Sequence, residues 1–141
     1  MIASGIRVQN YGTVIVTLAD EDKEEAVPLI RRFYDMGFNI EATSSTAETL
    51  KHHGIRTKVL RKPSEGSREI LDAISAGYVS YVINTRAILS GIHYEDGAAI
   101  RSAASQNHVT MFTSLDTVRV LLDVLEEITI GVSAITEEEN I

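Results

Sequence analysis

Met36-Gly37-Phe38-Asn39-Ile40-Glu41-Ala42-Thr43-Ser44-Ser45-Thr46-Ala47 carries a helix stop, a strand and a helix start in immediate succession. Gly37 is the residue that ends a helix in the left-handed conformation. Phe38 to Ala42 has the short apolar pattern of a strand. Thr43 to Thr46 sets four hydroxyl side chains in a row before a second helical pattern that runs from Thr46 to His53 and closes at Gly54. A helix–strand–helix alternation this tight is the signature of βαβ units.

Working outward, the alternation continues on both sides. Upstream, Thr13 to Leu18 is a nearly continuous β-branched apolar run, as expected of a strand buried on both faces. Ala26, Leu29, Ile30 and Phe33 then recur at helical spacing between Asp22 and Met36. Pro28 suits that helix only in its first turn, so the pattern predicts a late start. Downstream follow a strand over Thr57–Leu60, a helix over Ser67–Ala76 closed by Gly77, and a strand over Tyr78–Ile83. A long connection from Asn84 to Asp96 leads to a helix over Gly97–Gln106, a strand over Val109–Phe112 and a last helix over Ser114–Glu127. The reading is a doubly wound α/β domain, a five-stranded parallel sheet with helices on both faces. Residues 1–12, with the turn Asn10-Tyr11-Gly12, read as a linker stub, residues 13–130 as the domain, and residues 131–141 as a fraying acidic tail.

Composition narrows the function classes. At 141 residues, 44% hydrophobic and 23% charged, the chain suits one soluble domain. It has no apolar run near the roughly 20 residues of a membrane helix and no signal-peptide pattern at its start, which predicts a cytoplasmic protein without a membrane partner. The absence of cysteine removes disulfides and thiolate chemistry. A formal charge of -7 argues against nucleic acid, because a polyanion calls for a basic surface. A small phosphorylated ligand needs only one or two well-placed cations.

In open parallel sheets ligands bind beyond the carboxyl ends of the strands. The first strand is followed by Asp20, Asp22 and Lys23, the second by Thr43, Ser44, Ser45 and Thr46, the third by Arg61, Lys62 and Ser64, and the fourth by Asn84, Thr85 and Arg86. Hydroxyls and helix-start amides seat phosphate, lysines supply charge, and Asn84 can donate and accept. Each residue also has a plainer use. The hydroxyl run can be a helix cap, Lys23 a solvated lysine, Arg61 and Lys62 an exposed pair, and Asn84 a strand-end cap. Catalytic groups are sparse. The four histidines show no metal-ligand spacing, and neither a Gly-x-Ser-x-Gly elbow nor a phosphate-binding Gly-x-x-x-x-Gly-Lys loop is present. No metal and no catalytic residue is expected here.

Asp20 to Glu25, Met36 to Ala47, Glu65-Gly66, Val82 to Thr85, Ile100-Arg101 and Thr113 to Thr117 together resemble the methylglyoxal-synthase-like family. Within it they resemble the C-terminal allosteric domain of the carbamoyl-phosphate synthetase large chain. The resemblance implies strand order 3-2-1-4-5 and a switch point between strands one and four. It implies a regulatory site for a nucleotide or phosphoribosyl effector, UMP, IMP or phosphoribosyl pyrophosphate, at Lys23, Thr43, Thr46, Lys62, Asn84 and Thr85, with Thr17 at the end of strand one. Thr113 matches a position that contacts ornithine in some members, between domains.

The resemblance also implies a parent ligase that makes carbamoyl phosphate for pyrimidine or arginine biosynthesis, with ATP and Mg or Mn, and partners in the rest of the large chain and the glutaminase small chain. This domain would itself be cofactor-free and non-catalytic. Ser45 departs from the family's usual glycine, Arg86 from a common threonine, and Pro63-Ser64 from the usual residues after the lysine. The enzyme methylglyoxal synthase is the alternative. Its Gly-Gly-Asp loop and His-Asp pair are here Glu65-Gly66-Ser67 and Ala19-Asp20, which leaves proton abstraction without an evident base. A structural or homo-oligomer-forming domain without ligand is the other.

Overall fold

Strand β1 (Thr13–Thr17) is buried at every position and lies at the centre of a five-stranded sheet. The computed structural model describes residues 12–62, 66–85 and 94–139. A 3-10 turn over Asp20–Asp22 follows β1 and leads into α1 (Lys23–Asp35). Next come β2 (Asn39–Thr43), α2 (Ser44–His52), β3 (Thr57–Leu60), α3 (Glu69–Ser75) and β4 (Val79–Asn84). The chain ends with α4 (Tyr94–Gln106), β5 (Thr110–Phe112) and α5 (Leu115–Glu139). The strands are all parallel in the order β3-β2-β1-β4-β5, as the sequence predicts. Among the described residues no helix is long and apolar enough to cross a membrane.

Period-two alternation along β1 feeds two cores. Val14 and Val16 join Ile40, Ala42, Tyr81 and Ile83 under α1, α2 and α5, while Ile15 joins Leu60 and Val82 under α3 and α4. In the first core Phe33 and Phe38 meet edge to face, with centroids 5.3 Å apart. Arg32 ties α1 to α5 through Glu126 at 2.7 Å and Asp123 at 2.8 Å. Glu41 is the one charged side chain among the buried residues described. It lies opposite Lys58 in register and is 7% exposed, and its carboxylate accepts the Tyr78 hydroxyl at 3.2 Å. Partial burial first, and then the nearby carboxylate charge, push the Tyr78 phenol pKa upward.

Element ends differ from the sequence reading by a residue or two at several places, and more at α4 and α5. Pro28 stands in the second turn of α1, because Ala26, Val27, Leu29, Ile30 and Phe33 are all buried and carry the helix through it. The exposed ring sacrifices one backbone bond on the solvent side. Helix α2 starts at Ser44, not Thr46, so Thr43 is its flanking residue. Helix α4 starts at Tyr94 rather than Gly97, and α5 continues to Glu139, past the expected end at Glu127 and through most of the stretch read as a fraying tail.

The entry to β1 shows a steric constraint. Thr13 pairs with Val79 and Val14 with Tyr81, so Ser80 is the extra residue of a bulge. Gly12 lies at φ 115°, and a Cβ there would come within 2.1 Å of Ser80 Oγ. We predict that Gly12→Ala lowers stability by about 2–4 kcal/mol, from strained backbone plus overlap. Urea denaturation checks this. The double variant Gly12→Ala/Ser80→Ala should lose less than the sum of its single changes.

Candidate functional site

The carboxyl ends of four strands form one row. Register pairs Leu60 with Thr43 and Thr17 with Asn84, and the Thr43 hydroxyl donates to Thr17 Oγ1 at 3.3 Å across β2 and β1. Thr17, Thr43 and Asn84 are 3%, 1% and 1% exposed, so this polar row lies inside the domain. Such groups are costly to bury unless they are hydrogen-bonded.

Where β1 leaves the sheet, its next two amides lose their ladder partners while still buried. Leu18 N–H donates to Thr46 Oγ1 at 3.1 Å, and Ala19 N–H donates to Thr85 Oγ1 at 2.9 Å. Thr46 sits in the first turn of α2 and Thr85 just past β4, so the β1 exit is stapled from both sides. Each hydroxyl accepts in this bond and keeps its own proton to donate. The expectation that Thr46 begins the α2 helix is therefore corrected. The hydroxyl run also supplies no side-chain cap, since Thr43 makes none to the α2 amides and Ser44 and Ser45 are exposed.

Asn84 differs from its neighbours. Its Oδ1 is buried and has no hydrogen-bond partner among the described residues. An unsatisfied buried acceptor costs about 1–3 kcal/mol. In a folded protein such a group calls for an explanation, and a ligand that donates to it is one.

The cations at this edge are engaged. Lys23, the first residue of α1, has a side chain only 16% exposed and lies 2.7 Å from Asp20. Arg61 donates to Glu69 at 2.8 Å, which turns it toward α3. Lys62 is half-buried beyond β3 and makes its own interaction. Arg86 and Ser64 lie outside the described residues.

Two clefts bear on the proposed residues, one reaching Thr85 and the other beside Lys23. One, of about 230 Å³, is lined by Thr85, Thr113 and Ser114 together with Asp22, Glu25 and Asp116. Thr113 thus shares an acidic cleft with Thr85. Sequence reasoning did not single out Glu25 and Asp116 as lining residues. The signal was present in the quoted runs Asp20–Glu25 and Thr113–Thr117, which only the fold brings together. The second cleft, of about 390 Å³, runs between α1 and α2 and is lined by Lys23, Glu24, Glu48, Thr49, His52 and His53. There the ring of His53 bonds through Nδ1 to the Thr49 carbonyl at 2.9 Å.

Residues 25–113, more than half of the chain, match the family model of the MGS-like domain. The chain belongs to the MGS-like domain family. A solved methylglyoxal synthase from Elizabethkingia anophelis NUHP1 has the same fold, with a TM-score of 0.61 over 82% of this chain and 79% of that one. The two sequences are 19% identical, a likeness of fold. In this MGS-like domain the hydroxyl row sits where the strand order turns back on itself, between β1 and β4, the position at which open α/β sheets receive ligands.

The staple makes a prediction about Thr46. Thr46→Val leaves the Leu18 amide buried without an acceptor and should cost about 1–3 kcal/mol. Thr46→Ser, which keeps the hydroxyl, should cost about 1 kcal/mol or less. Urea midpoints and hydrogen exchange at the Leu18 amide distinguish the two.

Proposed function

We infer that this MGS-like domain is the allosteric domain of a carbamoyl-phosphate synthetase large chain, and that it binds a phosphorylated effector at the hydroxyl row. The observation that carries the reading is the orphaned Asn84 Oδ1 beside buried hydroxyls at the β1/β4 switch point. A phosphate would take protons from the Thr17, Thr46 and Thr85 hydroxyls and the α2 amides, with Thr43 steadying Thr17 and Lys62 and Lys23 supplying charge. Asn84 would accept from a hydroxyl or N–H elsewhere on the ligand, which suits UMP, IMP or phosphoribosyl pyrophosphate better than bare phosphate.

The regulatory reading rests also on what stands at the positions of the enzyme's acid–base groups. Ala19 is 3% exposed where methylglyoxal synthase carries histidine. Ser67 occupies the place of the loop aspartate, and its hydroxyl accepts the Glu69 N–H at 3.1 Å, a local turn contact. Neither can act as a carboxylate base. Regulation would follow from differential binding, with the effector favouring one arrangement of this domain against the ATP-using synthetase core and its glutaminase partner.

Calorimetry with UMP, IMP and phosphoribosyl pyrophosphate tests the reading. At least one should bind, and Lys62→Ala should weaken it about tenfold or more while leaving the urea midpoint near that of the wild type. Asn84→Leu removes the orphaned acceptor, so the ligand-free domain should keep its stability to within about 1 kcal/mol while binding is lost. No binding of any of the three would overturn the proposal. Turnover of dihydroxyacetone phosphate with release of phosphate would favour the enzyme instead.

A further inference from the structure

Strand β3 ends the sheet on one side, and among the described residues no backbone bond joins Thr57–Leu60 to any element but β2. Its outer row of N–H and C=O groups is open. Such an edge is a template for pairing with another chain, which folded proteins either block or use. Its charges are uneven. Residues 49–64 hold five of the chain's 13 lysines and arginines, Lys51, Arg56, Lys58, Arg61 and Lys62, and no aspartate or glutamate, although the whole chain carries a net -7. Arg56, just before β3, and Lys58 within it are exposed, and neither makes a hydrogen bond or an ion pair among the described residues. The acids nearby are occupied. Glu41 accepts the Tyr78 hydroxyl, Glu69 pairs with Arg61, and Asp72 pairs with Arg68 at 3.5 Å. Apolar surface flanks the same strand, with Val59 41% and Tyr78 43% exposed. Two clefts share Lys58 as a wall. One, of about 230 Å³, opens beside Tyr34 of α1, and the other, of about 310 Å³, beside Ala73 of α3 on the opposite face of the sheet.

We propose that β3 is a docking edge for an extended acidic segment of another protein, which adds to the sheet as a further strand. Backbone bonds to the open edge supply the attachment, and carboxylates of the segment pair with Arg56 and Lys58. A strand presents alternate side chains to opposite faces, so apolar residues between the acids can cover Val59 or Tyr78. Lysine on an edge strand discourages pairing with neutral and basic strands. The same charge admits an acidic one. A second copy of this chain is the wrong partner, because β3 against β3 would bring Arg56 and Lys58 close to their own counterparts. This docking stands whether or not a phosphate binds at the hydroxyl row.

The test titrates three blocked peptides into this chain by calorimetry: alternating glutamate and valine, alternating lysine and valine, and the glutamate peptide N-methylated along its backbone. The glutamate peptide should bind at least about tenfold more tightly than either of the others. In the double variant Arg56→Glu/Lys58→Glu the preference between the two charged peptides should invert. Lys51→Glu, which reverses an exposed cation on α2 away from the strand, should change either affinity by less than about threefold. With the glutamate peptide bound, hydrogen exchange should slow at the β3 amides that point away from β2. Failure of the glutamate peptide to bind, equal affinity for its N-methylated form, or binding without protection in β3 would each overturn the proposal. So would an effect of Lys51→Glu as large as that of the double variant, or protection of the same amides by self-association of the chain without peptide. The peptide comparison and the exchange measurement use the wild type, so they decide the matter even if the double variant folds poorly.

Discussion

A strand at the middle of a doubly covered sheet must surrender its last amides to something other than water. In this domain β1 ends inside the protein, and the backbone N–H groups of Leu18 and Ala19 are taken by the hydroxyls of Thr46 and Thr85. Much of the switch-point geometry follows from that pair of bonds. They fix where the chain turns out of the sheet, where the 3-10 turn begins, and hence where Asp20 and Lys23 stand. They also use each threonine as an acceptor, which leaves it its own proton to donate. A row of donors can be organised in this way by the needs of the backbone alone.

The overall architecture was legible because its signals are local. Strand β1 announces itself by an unbroken β-branched run, and α1 and α2 by glycines that adopt positive φ at their ends, Gly37 at 99° and Gly54 at 79°. Strand order followed from the family resemblance and is the order observed. What was not legible depends on distant partners. Pro28 lies one turn deeper than propensity allows because the buried face of α1 outweighs one missing bond. The end of α5 at Glu139 lies well beyond the last periodic stretch that could be read.

The site shows the same division. Thr43 and Asn84 could be gathered from sequence because each follows a predicted strand and strand ends share an edge by topology, whereas Thr17 came only from the family resemblance. The staples could not, since Thr46 and Thr85 stand 28 and 66 residues from the amides they hold. A hydroxyl run looks alike whether it caps a helix, seats an anion or ties down a neighbouring strand. Lys23 likewise read as a solvated cation or a ligand group, and its pairing with Asp20 depends on a turn whose geometry is set by Thr85.

The double duty of Thr46 and Thr85 bears on how this surface can evolve. Substitutions at either position alter a buried backbone contact before they alter anything bound, so both are poor places for selection to try new ligand preferences. Ser44 and Ser45 open onto solvent at the first turn of α2 and hold no part of the sheet together. Variation can accumulate at those two positions at little cost to folding. A library intended to retune what this edge recognises should therefore diversify Ser44 and Ser45 and leave the threonines intact.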